Sequence, residues 1–137
     1  MPAPRAYDYA VIRVVPRVER QEFINVGVIL WCPELKFLEA AIEVDEARLC
    51  ALDPALDMDS LRRHLAAIPL ICGGGEGAGP IGQLPQRERF HWLTAARSAV
   101  IQCSPVHTGR CAAPEAVLER LMDTMVRTRR TDPTCAE

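Results

Sequence analysis

Cys103, His107 and Cys111 follow one another at intervals of four residues, and two thiols with an imidazole are proper zinc donors. A structural zinc site wants four donors and usually a Cys-x-x-Cys knuckle. Here Pro105 and Gly109 suit an ordinary turn and no fourth donor is evident, so neither a metal nor a cofactor is assigned. His107 would also serve as base to a Ser98 or Cys103 nucleophile, but no nucleophile elbow or nearby acid accompanies them. Taken alone, His107 reads as a turn imidazole satisfied by backbone groups. The wider constellation carries more. Arg13, Asn25, Arg97, Ser98, Gln102, His107 and Thr108 lie within or beside strongly apolar strands, where burial without a partner costs roughly 1–3 kcal/mol each. They must find one another or a ligand. As a hydrogen-bond network they would fix strand order. As a pocket, Arg13, Arg97 and His107 would line a small anion- or peptide-binding site, with Asn25 and the Gly27 backbone at its floor.

The elements that must position these groups centre on the apolar run 23–32, read as a central strand. With period two, Ile24, Val26, Val28, Leu30 and Cys32 form one face and Asn25, Gly27, Ile29 and Trp31 the other, so both faces are expected to be covered. Asn25 is expected to bond the segment from Arg97 to Thr108. A first strand spans 7–15 and ends at Pro16. Pro33 to Lys36 reads as a hairpin loop into a third strand, 37–44, with Leu38, Ala40, Ile42 and Val44 inward and Glu39 and Glu43 outward. Asp45 caps a short helix to about Leu52, and a second helix runs from Asp57 or Asp59 to a stop at Pro69.

Six glycines between Gly73 and Gly82 read as a mobile loop; it lacks the Gly-Lys-Ser/Thr ending of a phosphate loop. Pro85 to Ala95 is a short helix or an extended arm. A short strand follows at 98–103, then a polar turn, then the best helix of the chain, with Pro114 at its first position and Leu118, Leu121, Met122, Met125 and Val126 on one side. The expected fold is α+β: an antiparallel meander of about four strands, with helices near 57–68 and 114–127 in a single layer on one face. Residues 1–6 are expected to be a disordered start, 7–128 one domain, and 129–137 a disordered tail.

With 137 residues, 49% hydrophobic and 25% charged, the chain suits one domain that buries a real core. The opening residues lack an apolar signal core and no run approaches the roughly 18 residues of a membrane span, so a bacterial-type cytoplasmic protein without membrane association is expected. Six cysteines fall within the apolar patterns of elements and are read as buried reduced thiols. A net charge of −2 argues against general phosphate attraction and hence against nucleic acid. The charge is uneven: residues 1–84 carry 8 basic and 12 acidic side chains, and residues 85–130 carry 8 and 4.

The pieces Tyr-Asp-Tyr-Ala-Val-Ile-Arg-Val-Val-Pro (7–16), Glu-Phe-Ile-Asn-Val-Gly-Val-Ile-Leu (22–30), Trp-Leu-Thr-Ala (92–95), Arg-Ser (97–98) and Ser-Pro-Val-His-Thr-Gly (104–109) resemble the bacterial domain of unknown function 3037. The resemblance spans most of residues 7–128, although Ala96 and Cys103 stand where the family pattern has proline. It carries no known reaction. It implies a gene often found near one for a kinase-like protein similar to persistence toxins. Two functional expectations follow: a non-catalytic protein-interaction or ligand-binding module, with that kinase-like protein as partner, or a small enzyme acting on a phosphate or acyl substrate with His107 as base and Arg97 as anion clamp.

Overall fold

The computed structural model describes residues 3–97 and 99–128. Its hub is β1 (Arg5–Val14), an apolar strand that pairs antiparallel with β2 (Ile24–Cys32) on one side. The far side of β2 carries β3 (Phe37–Ile42), and the far side of β1 carries two short strands in line, β4 (Ile101–Cys103) and β5 (His107–Cys111). Between β3 and β4 come α1 (Glu46–Leu52), α2 (Met58–Gly73), the single turn α3 (Gly79–Gly82) and α4 (Gln86–Thr94); α5 (Pro114–Leu121) follows β5 and continues as a π-helical turn, Met122–Val126. The α+β meander is the expected one. It begins two residues earlier than expected, because Arg5 and Ala6 pair with Cys111 and Arg110, and the polar turn after β4 is in fact the fifth strand.

The faces differ from a strict period-two reading because β2 contains a bulge. Ile12 is opposite Gly27 while Arg13 is opposite Asn25, so Val26 is the extra residue. One inserted residue exchanges the faces of everything beyond it. Ile24 and Val26 therefore share a core with Ile29, Trp31 and Leu38, while Val28, Leu30 and Cys32 face the other way. Gly27 is needed here. A Cβ on it would lie 2.5 Å from the Ala41 carbonyl oxygen and 3.0 Å from Ile12 Cδ1.

Two apolar faces require two covers, and the helices are not confined to a single layer on one face. Leu61, Leu65, Ile68 and Ile71 of α2, with Leu49 of α1 and Phe90 and Leu93 of α4, pack on the first face. Val117, Leu118 and Leu121 of α5, with Met122 and Val126, pack on the second. Asp45 and Asp57 cap α1 and α2, accepting from the Arg48 and Ser60 amides at 3.1 and 3.0 Å. Pro69 does not stop α2: its side chain is exposed, and Ile71 and Cys72 beyond it remain in the core. The glycine-rich segment is folded. Arg89, only 9% exposed, donates to the carbonyl oxygens of Ile71, Cys72 and Leu84 at 2.9, 2.6 and 2.8 Å, so a cation satisfies the C-terminal end of α2. Gly74, at φ 72°, lets that guanidinium pass: a Cβ would lie 2.9 Å from Arg89 Nη1.

Between Tyr9 and Ile12 β1 advances three residues while its partner advances four, from His107 back to Cys103. Ser104 fills this step. The Val11 amide donates to Ser104 Oγ at 2.8 Å, the Ser104 amide donates to Val11 O at 2.8 Å, and the hydroxyl donates to Pro105 O at 2.9 Å. Among the described residues, no helix is long and apolar enough to cross a membrane.

Candidate functional site

A concavity of about 650 Å3 forms a groove between α2 and the described residues between 95 and 103, closed at one end by the turn between α1 and α2. Its floor is the outer skin of the first core: Leu61, Ile68, Ile71, Leu93, Ile101 and Cys103. A volume of this size with mostly apolar lining and a few polar groups is typical of binding sites. Trp92 and Val100, each 39% exposed, stand at its rim.

The polar groups of the groove are already oriented. Arg97 lays its guanidinium 4.3 Å from the centroid of the Trp92 ring and donates from Nη2 to the Trp92 carbonyl oxygen. His64 Nδ1 donates to Ser60 O at 2.8 Å. Asp53 and Asp57 accept the Ala55 and Ser60 amides at the turn, and Gln102, which points to the other face of the sheet, donates from Nε2 to Ala99 O at 2.7 Å. Arg5, Arg17, Arg20, Arg62 and Arg127 each have a carboxylate partner. Arg97 has none among the described residues.

The thiol in the groove is held in its protonated form at neutral pH. Burial pushes Cys103 up to about 11 despite the nearby Arg97 and Arg13, and its Sγ lies 3.4 Å from Leu93 O. Cys103 shares the α2 face with Ile12, whereas His107 and Cys111 share the opposite face with Tyr9 and Tyr7, so the sheet separates the three spaced donors. Among the described residues, no group of three or more His, Cys, Asp or Glu side chains is placed to hold a metal ion. Cys32, Cys50, Cys72, Cys103 and Cys111 are all free thiols; Cys135 lies outside the described residues.

The constellation named from sequence divides between the two faces. Arg13, Asn25 and Gln102 are direct cross-strand neighbours on the α5 face, and His107 is on the same face, stacked at 5.3 Å on Tyr9, about 13 Å along β1 from the Arg13 row. Arg13 lies 4.2 Å from the Phe23 ring centroid. Its Nε and Asn25 Oδ1 are buried without a protein partner. Asn25 does not bond the 97–108 segment; its Nδ2 donates to Met125 O at 3.0 Å and ties the end of the last helix to the sheet. A small hollow of about 210 Å3 lies beside it, next to Arg48, Thr124 and Arg127. Carboxylate hydrogen bonds, Glu119 first and then Asp123, raise Arg127 above its ordinary value, and Glu43 joins them at 3.2 Å. Gly27 belongs to the bulge and the α2-side core, Thr108 is exposed opposite Asp8, and Ser98 lies outside the described residues. Of the constellation's described residues, Arg97 and Gln102 alone line the groove.

Sequence reasoning passed over Ser60, His64, Ala67 and Trp92 as wall residues, and Ser104 and Arg89 as positioning residues. The available signals were weak: a polar stripe on α2, a serine before Pro105, and an arginine one residue before Phe90. No curated protein and no solved structure matches the chain. Residues 9–126, most of the chain, match the family described as DUF3037, protein of unknown function. With the motif pieces of β2, α4 and β5 inside that span, and all but the first two residues of the β1 piece, the chain belongs to the DUF3037 family.

Proposed function

We propose that the protein is a non-catalytic interaction module of the bacterial cytoplasm that docks a segment of a partner protein in the groove between α2 and residues 95–103. The observation that carries this reading is the groove itself: about 650 Å3, apolar at its floor, with Trp92 and Val100 exposed at its rim. Exposed aromatic and arginine side chains beside an apolar pocket are what binding hot spots are made of. The chemistry of the groove favours binding over reaction. Its thiol is held protonated, the Ser60 hydroxyl has only a 3.5 Å contact to His64 Nδ1, and that nitrogen is committed to a carbonyl. Arg97 and His107, the pair that an acyl- or phosphate-directed enzyme would need, are on opposite faces of the sheet.

The kinase-like protein implied by the family resemblance is the partner to test. Co-expressed with it, the chain should elute from gel filtration as a stable complex, and Ala67→Trp, which fills the groove, should dissolve that complex while the isolated variant still unfolds cooperatively. A complex indifferent to Ala67→Trp would move the interface elsewhere.

A further inference from the structure

The occupant of the groove follows from its walls, and this step rests on the reading just given. α2 presents Asp57, Ser60, His64 and Ala67 to the groove at spacings of three and four residues, a stripe roughly 15 Å long. Ser60 and Ala67 are small, and so are Ala95 and Ala99 on the facing wall, between the larger Trp92, Arg97 and Val100. Small positions facing one another let a second helix settle between the larger side chains at an axial distance of about 8–10 Å. Arg97 adds the charge. Its guanidinium is held on Trp92 by stacking and a hydrogen bond, and among the described residues it has no carboxylate partner. A fixed cation beside an apolar surface complements an anion at the edge of an apolar stripe, and little side-chain freedom is left to lose on pairing.

We infer that the groove receives an amphipathic helix of a partner protein, with apolar residues at i, i+3, i+4 and i+7 facing the floor and an acidic side chain beside them on Arg97. The carboxylates of Asp53 and Asp57 at the closed end set the opposite preference there, so the helix carries no acidic residue at that end.

Three synthetic peptides of about 15 residues, enough to run the length of the stripe, test this. They share one leucine stripe on an alanine-glutamine background; the first has glutamate beside the stripe at one end only, the second has lysine there instead, and the third is the first with a central proline. Each is titrated into the full chain by calorimetry, with tryptophan emission reporting on Trp92. The glutamate peptide should bind at least roughly tenfold more tightly than the other two. Arg97→Gln should erase its advantage over the lysine peptide, and Arg97→Lys should retain part of it. Equal binding of the glutamate and lysine peptides, or a preference that survives Arg97→Gln, overturns the acidic occupant but leaves the groove reading standing. Equal binding of the proline peptide overturns the helical one. If Ala67→Trp binds the peptides as the parent does, the groove reading itself fails. A dimer that Ala67→Trp dissolves would assign the groove to a second copy of the chain, and no binding at millimolar concentration would reject the helix.

Discussion

The α2 face and the α5 face of the sheet are built from alternate residues of the same strands, yet they are finished in opposite ways. On the α2 face three helices close over Ile12, Val14, Ile29 and Trp31, with Phe90 1% exposed at the centre, and the groove opens where α2 parts from Ala95, Arg97 and residues 99–103. On the α5 face one helix and its π-helical turn lie over β2 and β3, while the β1 side carries Tyr9, Arg13, Gln102 and His107. Polar side chains on interior strands cost less where the helical cover is incomplete, because these side chains remain at least partly exposed, even though Arg13 Nε itself is enclosed. The bulge at Val26 decides the division, since it sends Asn25 to the α5 face with Arg13.

The largest expected effect tests which face is the principal core. Phe90→Ala should destabilise the protein by about 3–5 kcal/mol in denaturant unfolding, since the side chain is fully enclosed and packs at 5.3 Å on Trp31. A loss under about 1 kcal/mol would mean that the α2 face collapses freely and is not the better packed one. Next comes the step in the sheet. Ser104→Ala leaves the buried Val11 amide without its acceptor and should cost about 1–3 kcal/mol, with faster hydrogen exchange at Val11. Unchanged exchange there would show that a rearranged backbone bond replaces the hydroxyl.

Asn25→Leu sharpens the comparison from the other side. It removes one bond, to Met125 O, but also removes the unpartnered Oδ1, so the net loss should stay within about 1 kcal/mol. A loss of several kcal/mol would reveal a cooperative network with Arg13 on this face. The smallest effect concerns pH. Burial raises Cys103 to about 11 and Cys72 to about 12, from an ordinary thiol value of 9.0. Both thiols stay protonated in the fold and in the unfolded chain below about pH 9, so their contribution to stability is flat there and falls as pH rises through 9 towards 11 and 12. Cysteine-to-serine variants at the two positions should show a shallower loss, and iodoacetamide at pH 8 should label both thiols slowly in the native protein.

The first three strands were legible because their apolar periodicity is long and uninterrupted, and the helix caps because Asp45 and Asp57 precede periodic segments. The bulge was not. One extra valine in an apolar strand changes no composition, and only the pairing of Arg13 with Asn25 reveals it. β5 escaped because His-Thr-Gly-Arg is polar enough to read as a turn, although an outer strand needs little apolar character when its faces are wet. The folded glycine segment depends on Arg89, whose partners are backbone carbonyls that carry no sequence signature. Of the site, Arg97 was legible as a potential clamp. The groove was not, because a wall of small residues such as Ser60 and Ala67 matters only once something faces it.

The step at Ser104 also bears on how the molecule behaves in a crowd. A long, flat outer strand presents unpaired amides and carbonyls to any neighbouring chain and invites cross-β association. Here one margin of the sheet is broken into pieces of three and five residues with Pro105 between them, too short and too staggered to template a further strand. The other margin, β3, is continuous but carries Glu39 exposed at its middle, with Glu43 exposed just beyond its end. Both rims of the sheet thus resist self-association, so the exposed apolar side chains at the groove rim can remain available without edge-to-edge aggregation.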